Sequence, residues 1–221
     1  MHILLTDRLI CLRCGPGFGL ILIADRLENR RVIEGSLGCP NCRDRFPVEG
    51  GFGDLRPPPR STRDDAPELE PPASPQAMEV AALLGLTDGP GSVALMGDMA
   101  GHSTALAGLV PGVEFIGIAP GLRGWEEEEG VSRMTTGASL PFSSGSLRGV
   151  GLFADGEPSI AGELARVLAR AGRIAVWSAG QSGVEDGVEG AVQEWEKALR
   201  SEGLDVLASE GRAVVVKRTA P

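Results

Sequence analysis

Seven of the twenty residues at positions 56–75, RPPPRSTRDDAPELEPPASP, are proline. Each proline removes a backbone donor and drives its predecessor toward extended geometry, so this stretch supplies neither a helix nor an interior strand. Whatever the chain folds into is therefore built on either side of it. The stretch reads as a semi-rigid linker. It separates a small cysteine-bearing module, residues 1–55, from a larger unit, residues 76–221. Apolar residues make up 42% of the 221, which is enough for a packed core and excludes wholesale disorder.

All four cysteines fall in the small module, as Cys11-x2-Cys14 and Cys39-x2-Cys42, with 24 residues between the pairs. A CxxC turn aims two thiolates at one point, and two such turns complete a tetrahedron around Zn²⁺. Disulfides are the competing use of four cysteines, but the start, MHILLTDRLICL, lacks a cleavable signal and is broken by Asp7 and Arg8. About 55 residues is also a small domain to hold together without a staple. A structural zinc on Cys11, Cys14, Cys39 and Cys42 is expected. Four thiolates close the coordination sphere, so such a metal stabilises and does not catalyse.

The larger unit alternates strand and helix signals. Ser74-Pro75 suits a helix start, with QAMEVAALLGL running on as the helix. SVALM (92–96), VEFIGIA (113–119), GVGLFA (149–154) and RIAVWSA (173–179) read as buried strands. HSTALAGLV, SIAGELARVLARAG (159–172) and VEGAVQEWEKALRSEG (188–203) read as helices between them. LDVLASEGRAVVVKR reads as an antiparallel hairpin. Strands alternating with crossover helices predict an α/β fold, a mostly parallel sheet covered on both faces.

LICLRCGPGFGLI…GSLGCPNCRDRFPVEGGFGDL, over about residues 3–56, resembles the zinc-ribbon activator subunit that partners tRNA, rRNA and translation-factor methyltransferases. The tail Phe46-Pro47-Val48-Glu49-Gly50 follows that family's aromatic-Pro-[IV]-x-[DG]-G pattern. The resemblance implies a protein partner for the ribbon. It also implies docking on the exposed sheet edge of a methyltransferase, which the linker is long enough to allow in cis.

Residues 76–218 resemble class I S-adenosylmethionine-dependent methyltransferases, which implies a Rossmann-like sheet and that cofactor. VALMGDMAG lies where the family has a strand ending in an acid and then G-x-G-x-G. ASLPFSSGSLRGVGLF lies over its D-A-x-x-L-P-F segment, and ELARVLARAGRIAV follows its E-x-x-R-V-L segment. Glycines let backbone approach the cofactor, and carboxylates bind its polar groups. On that alignment Gly97 and Gly101 are kept, but the middle glycine is Met99. The three cofactor acids are replaced by Leu95, Ala119 and Thr136, and the later Phe-Asp pair reads Leu147-Arg148. Each lost charged contact costs on the order of 1.5–3 kcal/mol, together several factors of ten in affinity. Asp98, Glu114 and the acids of WEEEE (125–129) are the available surrogates, although WEEEE reads first as a solvated helix start. The cofactor-binding candidates are thus Gly97, Asp98 and Gly101.

Further groups are weaker candidates. His102, after the loop, reads as a cap or surface residue. Asp155 and Glu157 follow a strand's carboxyl end, where general bases or helix caps sit. Trp195 has core spacing. Arg26, Arg30, Arg31, Arg43 and Arg45 would form a basic face of the kind RNA contacts. Neighbouring Asp25, Glu28 and Asp44 dilute it, and Trp125, Trp177 and Trp195 form no stacking platform. A net charge of −9 also argues against non-specific nucleic-acid coating. No apolar run approaches membrane-spanning length, and a cytoplasmic location is expected. Two functions compete: a pseudo-enzyme or scaffold with an eroded cofactor site, and a divergent but active methyltransferase.

Overall fold

The computed structural model describes residues 1–60, 67–153, 158–178, 185–210 and 212–219. The chain opens with a short helix, α1 (Ile3–Thr6), and the strands β1 (Ile21–Glu28), β2 (Arg31–Gly38), β3 (Arg45–Glu49) and β4 (Phe52–Asp54). After the proline-rich stretch come α2 (Ala77–Leu84), β5 (Gly91–Met96), α3 (Ser103–Leu109), β6 (Val113–Ile118), β7 (Val131–Thr135) and β8 (Leu147–Phe153). α4 (Ala161–Val167), β9 (Leu168–Trp177), α5 (Glu185–Ser201), β10 (Asp205–Glu210) and β11 (Ala213–Lys217) complete it.

Among the described residues these strands form one eleven-stranded sheet, in the order β1-β2-β3-β4-β7-β6-β5-β8-β9-β11-β10. The six from β4 to β9 run parallel. The four N-terminal strands pair antiparallel, and the closing hairpin adds two antiparallel strands. Alternation sends Val93 and Leu95 of β5 to one face, with α2 and α3. Ala94 goes to the other face, with α4, α5 and the cysteine-bearing module. The chain order reverses at β5, which lies between β6 and β8. In open α/β sheets ligands bind beyond the strand carboxyl ends at such a point.

The cysteine-bearing module meets the later sheet along β4 and β7, with Phe52, Gly53 and Asp54 opposite Arg133, Met134 and Thr135. The Leu55 N–H extends this ladder to the Thr135 carbonyl at 2.9 Å. A second seam joins Leu9 to Phe142, where the Ile10 N–H reaches the Pro141 carbonyl at 2.9 Å.

β7 was not evident from its sequence, VSRMT, because parallel interior strands are normally apolar throughout. All five residues are nevertheless buried. Arg133 and Ser132 find partners in the cysteine-bearing module, the loop before β7 and β6. Arg133, 1% exposed, donates to the carbonyls of Leu122, Trp125 and Gly50 and to the Glu127 carboxylate. Ser132 donates to Glu114 and accepts the His2 N–H. Glu127 also accepts from Arg31 and from the Met1 ammonium.

This network corrects two expectations. WEEEE starts no helix, because Glu127 is held between Arg31 and Arg133 and residues 126–128 have no regular structure. Arg31 joins no basic face: it is 6% exposed and paired with Glu127 and Glu114. Helix boundaries differ as well. α2 begins after Gln76, whose N–H is accepted by Glu79 at 2.9 Å, so the start is a capping-box arrangement and not Ser74-Pro75. The predicted helix 159–172 ends at Val167, since residues from Leu168 pair with β8.

Candidate metal centre and cofactor crevice

The two CxxC turns lie before β1 and between β2 and β3, each closed by backbone bonds, Gly15 N–H to Cys11 and Arg43 N–H to Cys39. They bring the four sulfurs within 4.8 Å of one another, with no disulfide among them. The Cys11–Cys42 and Cys14–Cys39 sulfurs are both 3.7 Å apart. Four sulfurs about 2.3 Å from a central ion form a tetrahedron with edges of about 3.8 Å, so the donor set fits a metal. Without a cation the thiols compete. Burial raises Cys39, but backbone N–H groups of Cys42 and Asn41 outweigh it and draw it down to about 7. At Cys42 a backbone bond near Asp44 lowers the thiol, but burial and the neighbouring thiols push it up to about 12. A divalent cation would resolve that competition by taking all four as thiolates.

At the carboxyl end of β5, residues Gly97–His102 form a 3₁₀ turn leading into α3. Gly97 has φ of +58°, in the region that glycine tolerates, with open space above it. Gly101 is crowded. A Cβ there would lie 2.7 Å from the Glu70 carbonyl oxygen and 2.8 Å from Pro71 Cα. Next to β6, a Cβ on Gly121 would lie 2.5 Å from the Pro67 carbonyl oxygen and 3.3 Å from Leu69 Cβ. The Leu69 N–H donates to the Gly121 carbonyl at 3.4 Å. The described part of the linker, residues 67–75, thus crosses the carboxyl ends of β5 and β6 as a strap.

None of the positions where acids would be needed offers a carboxylate. Leu95 is fully buried, Ala119 is 5% exposed, and the Thr136 hydroxyl donates to the Ser139 carbonyl at 2.8 Å. Met99 is fully buried and converges with Leu95 and Leu84 over Gly151. It fills the core beneath the loop, leaving the strap to cover the loop's far end. Two surrogates fail by position. Glu114 lies at the amino end of β6, and Glu127 faces the cysteine-bearing module. Asp98 is exposed and lines a cavity of about 340 Å³ with Met96, Gly97, Leu152, Phe153 and Trp195. Among the described residues the buried Trp195 indole N–H has no hydrogen-bond partner.

His102 stands at the N-cap position of α3, but its side chain makes no capping bond and it is not a surface residue. It is 4% exposed, and burial lowers its pKa, opposed in part by a hydrogen bond to the Pro75 backbone. Asp155 and Glu157 lie outside the described residues.

The LPF and E-x-x-R segments are joined by a clamp. Arg166 pairs with Glu163 at 2.8 Å and donates to the Leu140 and Phe142 carbonyls. Glu163 in turn accepts the Leu140 N–H at 3.1 Å. The clamp was foreshadowed by the three-residue spacing of Glu163 and Arg166, which suits a helical ion pair.

Neither a protein-family model nor a curated protein sequence matches the chain. Solved structures do. One is the complex between the Haloferax volcanii methyltransferase activator Trm112 and a protein assigned as a methyltransferase. It matches at 16% identity and TM-score 0.52, covering 66% of this chain and 89% of that one. Another, from Methanococcus maripaludis, is assigned as an S-adenosyl-L-methionine-dependent methyltransferase. It matches at 14% identity and TM-score 0.48, covering 66% and 84%. The antibiotic-resistance methyltransferase Kmr matches at 14% identity and TM-score 0.46, covering 70% and 98%. The fold is the Rossmann-like methyltransferase fold, with a four-cysteine cluster near its N-terminus. Among the described residues no helix is long and apolar enough to cross a membrane.

Proposed function

We propose that this chain is a methyltransferase-fold scaffold whose adenosyl subsite is covered by its own linker, held together by a structural zinc on Cys11, Cys14, Cys39 and Cys42. Residues 1–55 serve as a zinc ribbon docked in cis on the larger unit, residues 76–221, and four unpaired thiols suit a cytoplasmic setting. One observation carries the reading: the backbone of residues 67–71 packs on Gly101, where the resemblance places cofactor, and on Gly121, two residues beyond Ala119. With Leu95, Ala119 and Thr136 at the acid positions, the residues present do not fit the adenosyl group. The two retained sequence motifs, LPF and E-x-x-RVL, are compatible with this reading, since they meet in the Glu163–Arg166 clamp.

The second reading is a divergent methyltransferase, favoured by the cavity of about 340 Å³ beside Gly97 and Asp98. Calorimetric titration of the zinc-loaded protein with S-adenosylmethionine and S-adenosylhomocysteine separates the two. The scaffold reading expects no binding at millimolar ligand. Micromolar binding overturns it and makes Asp98 the residue to substitute next. Protein partners of a scaffold would dock outside the β4–β7 seam, which the chain satisfies internally.

A further inference from the structure

Several arginines of this acidic chain face carboxylates: Arg13, Arg26, Arg31, Arg133 and Arg166 each make an ion pair. A cluster of three does not. At the amino ends of β5 and β8, opposite the cofactor crevice, a pocket of about 480 Å³ is walled by Arg148, Arg170 and Arg173 together with Ser92 and Ser146. No Asp or Glu lines it. Among the described residues none of these three arginines makes an ion pair. Arg148 donates to the carbonyls of Asp88 and Pro90, and Arg173 to the Leu83 carbonyl at 3.4 Å. These bonds anchor the two side chains and leave most of their N–H groups free, since a guanidinium carries five. Arg170 is exposed, and among the described residues its side chain makes no hydrogen bond or ion pair. Arg8 adds a fourth positive charge at the rim, reaching Ser92 Oγ at 3.2 Å and the Ser146 carbonyl at 3.0 Å.

The pocket is also shaped by glycines. A Cβ on Gly85 would lie 2.6 Å from Arg173 Cζ, and one on Gly91 3.1 Å from Arg148 Cδ. Backbone thus passes close beside both guanidinium stems and fixes them. Anchored guanidinium groups with free donors and no internal counter-ion suit an oxyanion through paired N–H···O bonds, and several of them on one pocket favour a multiply charged phosphate over a single carboxylate.

We propose that this pocket is a binding site for a phosphoester anion, at the end of the sheet opposite the cofactor crevice. The volume admits more than one phosphate group. The source is either a small phosphorylated molecule or a nucleic-acid backbone, and the probes separate them.

The probes are pyrophosphate, followed by calorimetry, and a fluorescein-labelled twelve-nucleotide single-stranded RNA, followed by anisotropy, each on the full zinc-loaded chain. Pyrophosphate is expected to bind saturably. Arg170→Glu is expected to weaken it about tenfold or more without moving the melting temperature, because Arg170 supports no other contact. Arg148→Gln should weaken it as well. RNA that binds more tightly than pyrophosphate, with the same sensitivity to Arg170→Glu, identifies a polynucleotide. Pyrophosphate binding without RNA binding identifies a small phosphorylated ligand. Absence of saturable binding by both probes, or binding indifferent to Arg170→Glu, overturns the proposal.

Discussion

Two of the sites where residues before position 76 touch the later sheet are of unlike construction. Along β4 and β7 the contact is a backbone ladder from Phe52 to Leu55, backed by Arg133 and Glu127 at its centre. Over the carboxyl ends of β5 and β6 it is a strap with a 3.4 Å hydrogen bond from Leu69, a half-buried leucine and the Pro75–His102 contact. Both pack closely on glycines: side chains of Glu127 and Met1 lie against Gly51 and Gly53 in the first case, and strap backbone lies against Gly101 and Gly121 in the second. Only the first adds buried charge. A seam so built holds permanently. A strap with one long hydrogen bond can leave without unfolding the sheet.

The largest effect is expected at the metal. Structural Zn²⁺ in small peptide sites supplies about 10–16 kcal/mol at neutral pH, more than a module of this size can replace. Chelation, or Cys39→Ser, is expected to unfold residues 1–55, expose the β7 edge and promote aggregation. Metal content and circular-dichroism melts check this. A chelated protein that melts like the loaded one would mean that the seam alone holds the module.

Next comes the seam's own charge. Arg133→Met removes the donor that the Leu122, Trp125 and Gly50 carbonyls and one oxygen of Glu127 share, and is expected to cost about 3–5 kcal/mol in urea unfolding. A cost under about 1 kcal/mol would mean the ladder suffices. The pH dependence follows from Glu127, whose pKa lies below the ordinary value: burial raises it, but the Met1 ammonium and Arg31 outweigh burial. A carboxylate depressed in the fold stabilises fully above its unfolded pKa, and that stability is lost as pH falls through the folded value. Acid below about pH 4 should therefore weaken the wild-type seam, and Glu127→Gln should flatten that dependence.

A smaller loss is expected from Glu163→Gln, about 1–2 kcal/mol, because the Leu140 N–H keeps an acceptor while Arg166 loses its charge partner. The clamp also bears on how much the sequence disclosed. The strands of the larger unit except β7, both CxxC turns and the closing hairpin were legible, since apolar period and glycine position set them locally. β7 was hidden because Ser132, Arg133 and Thr135 are buried only by grace of a module more than 75 residues away in the chain. Arg31 looked like surface charge for the same reason: its partners, Glu114 and Glu127, are nonlocal. The strap was hidden differently. Proline content says that residues 67–75 form no element, but not what they lie upon, and Gly101 looked like a cofactor glycine because both uses demand a missing Cβ.

That ambiguity sets the smallest and most discriminating test. Gly51→Ala and Gly101→Ala insert the same methyl at the two sites. Gly51 has φ of +77°, and its Cβ would run into the Glu127 carboxylate, so the seam variant should lose about 2–3 kcal/mol. At Gly101 the obstruction is the strap backbone, which can lift away. The expected outcome is a stability change within about 1 kcal/mol together with faster proteolysis between residues 67 and 75. His102 supplies an orthogonal handle. Burial lowers its pKa, so the neutral form belongs to the closed strap, and stability present above about pH 6.5 should fall as pH drops below that value. In His102→Gln the proteolysis rate should no longer respond to pH across that range. If Gly101→Ala destabilises the fold as much as Gly51→Ala, the strap is a second permanent seam, and the crevice beneath it is closed by construction.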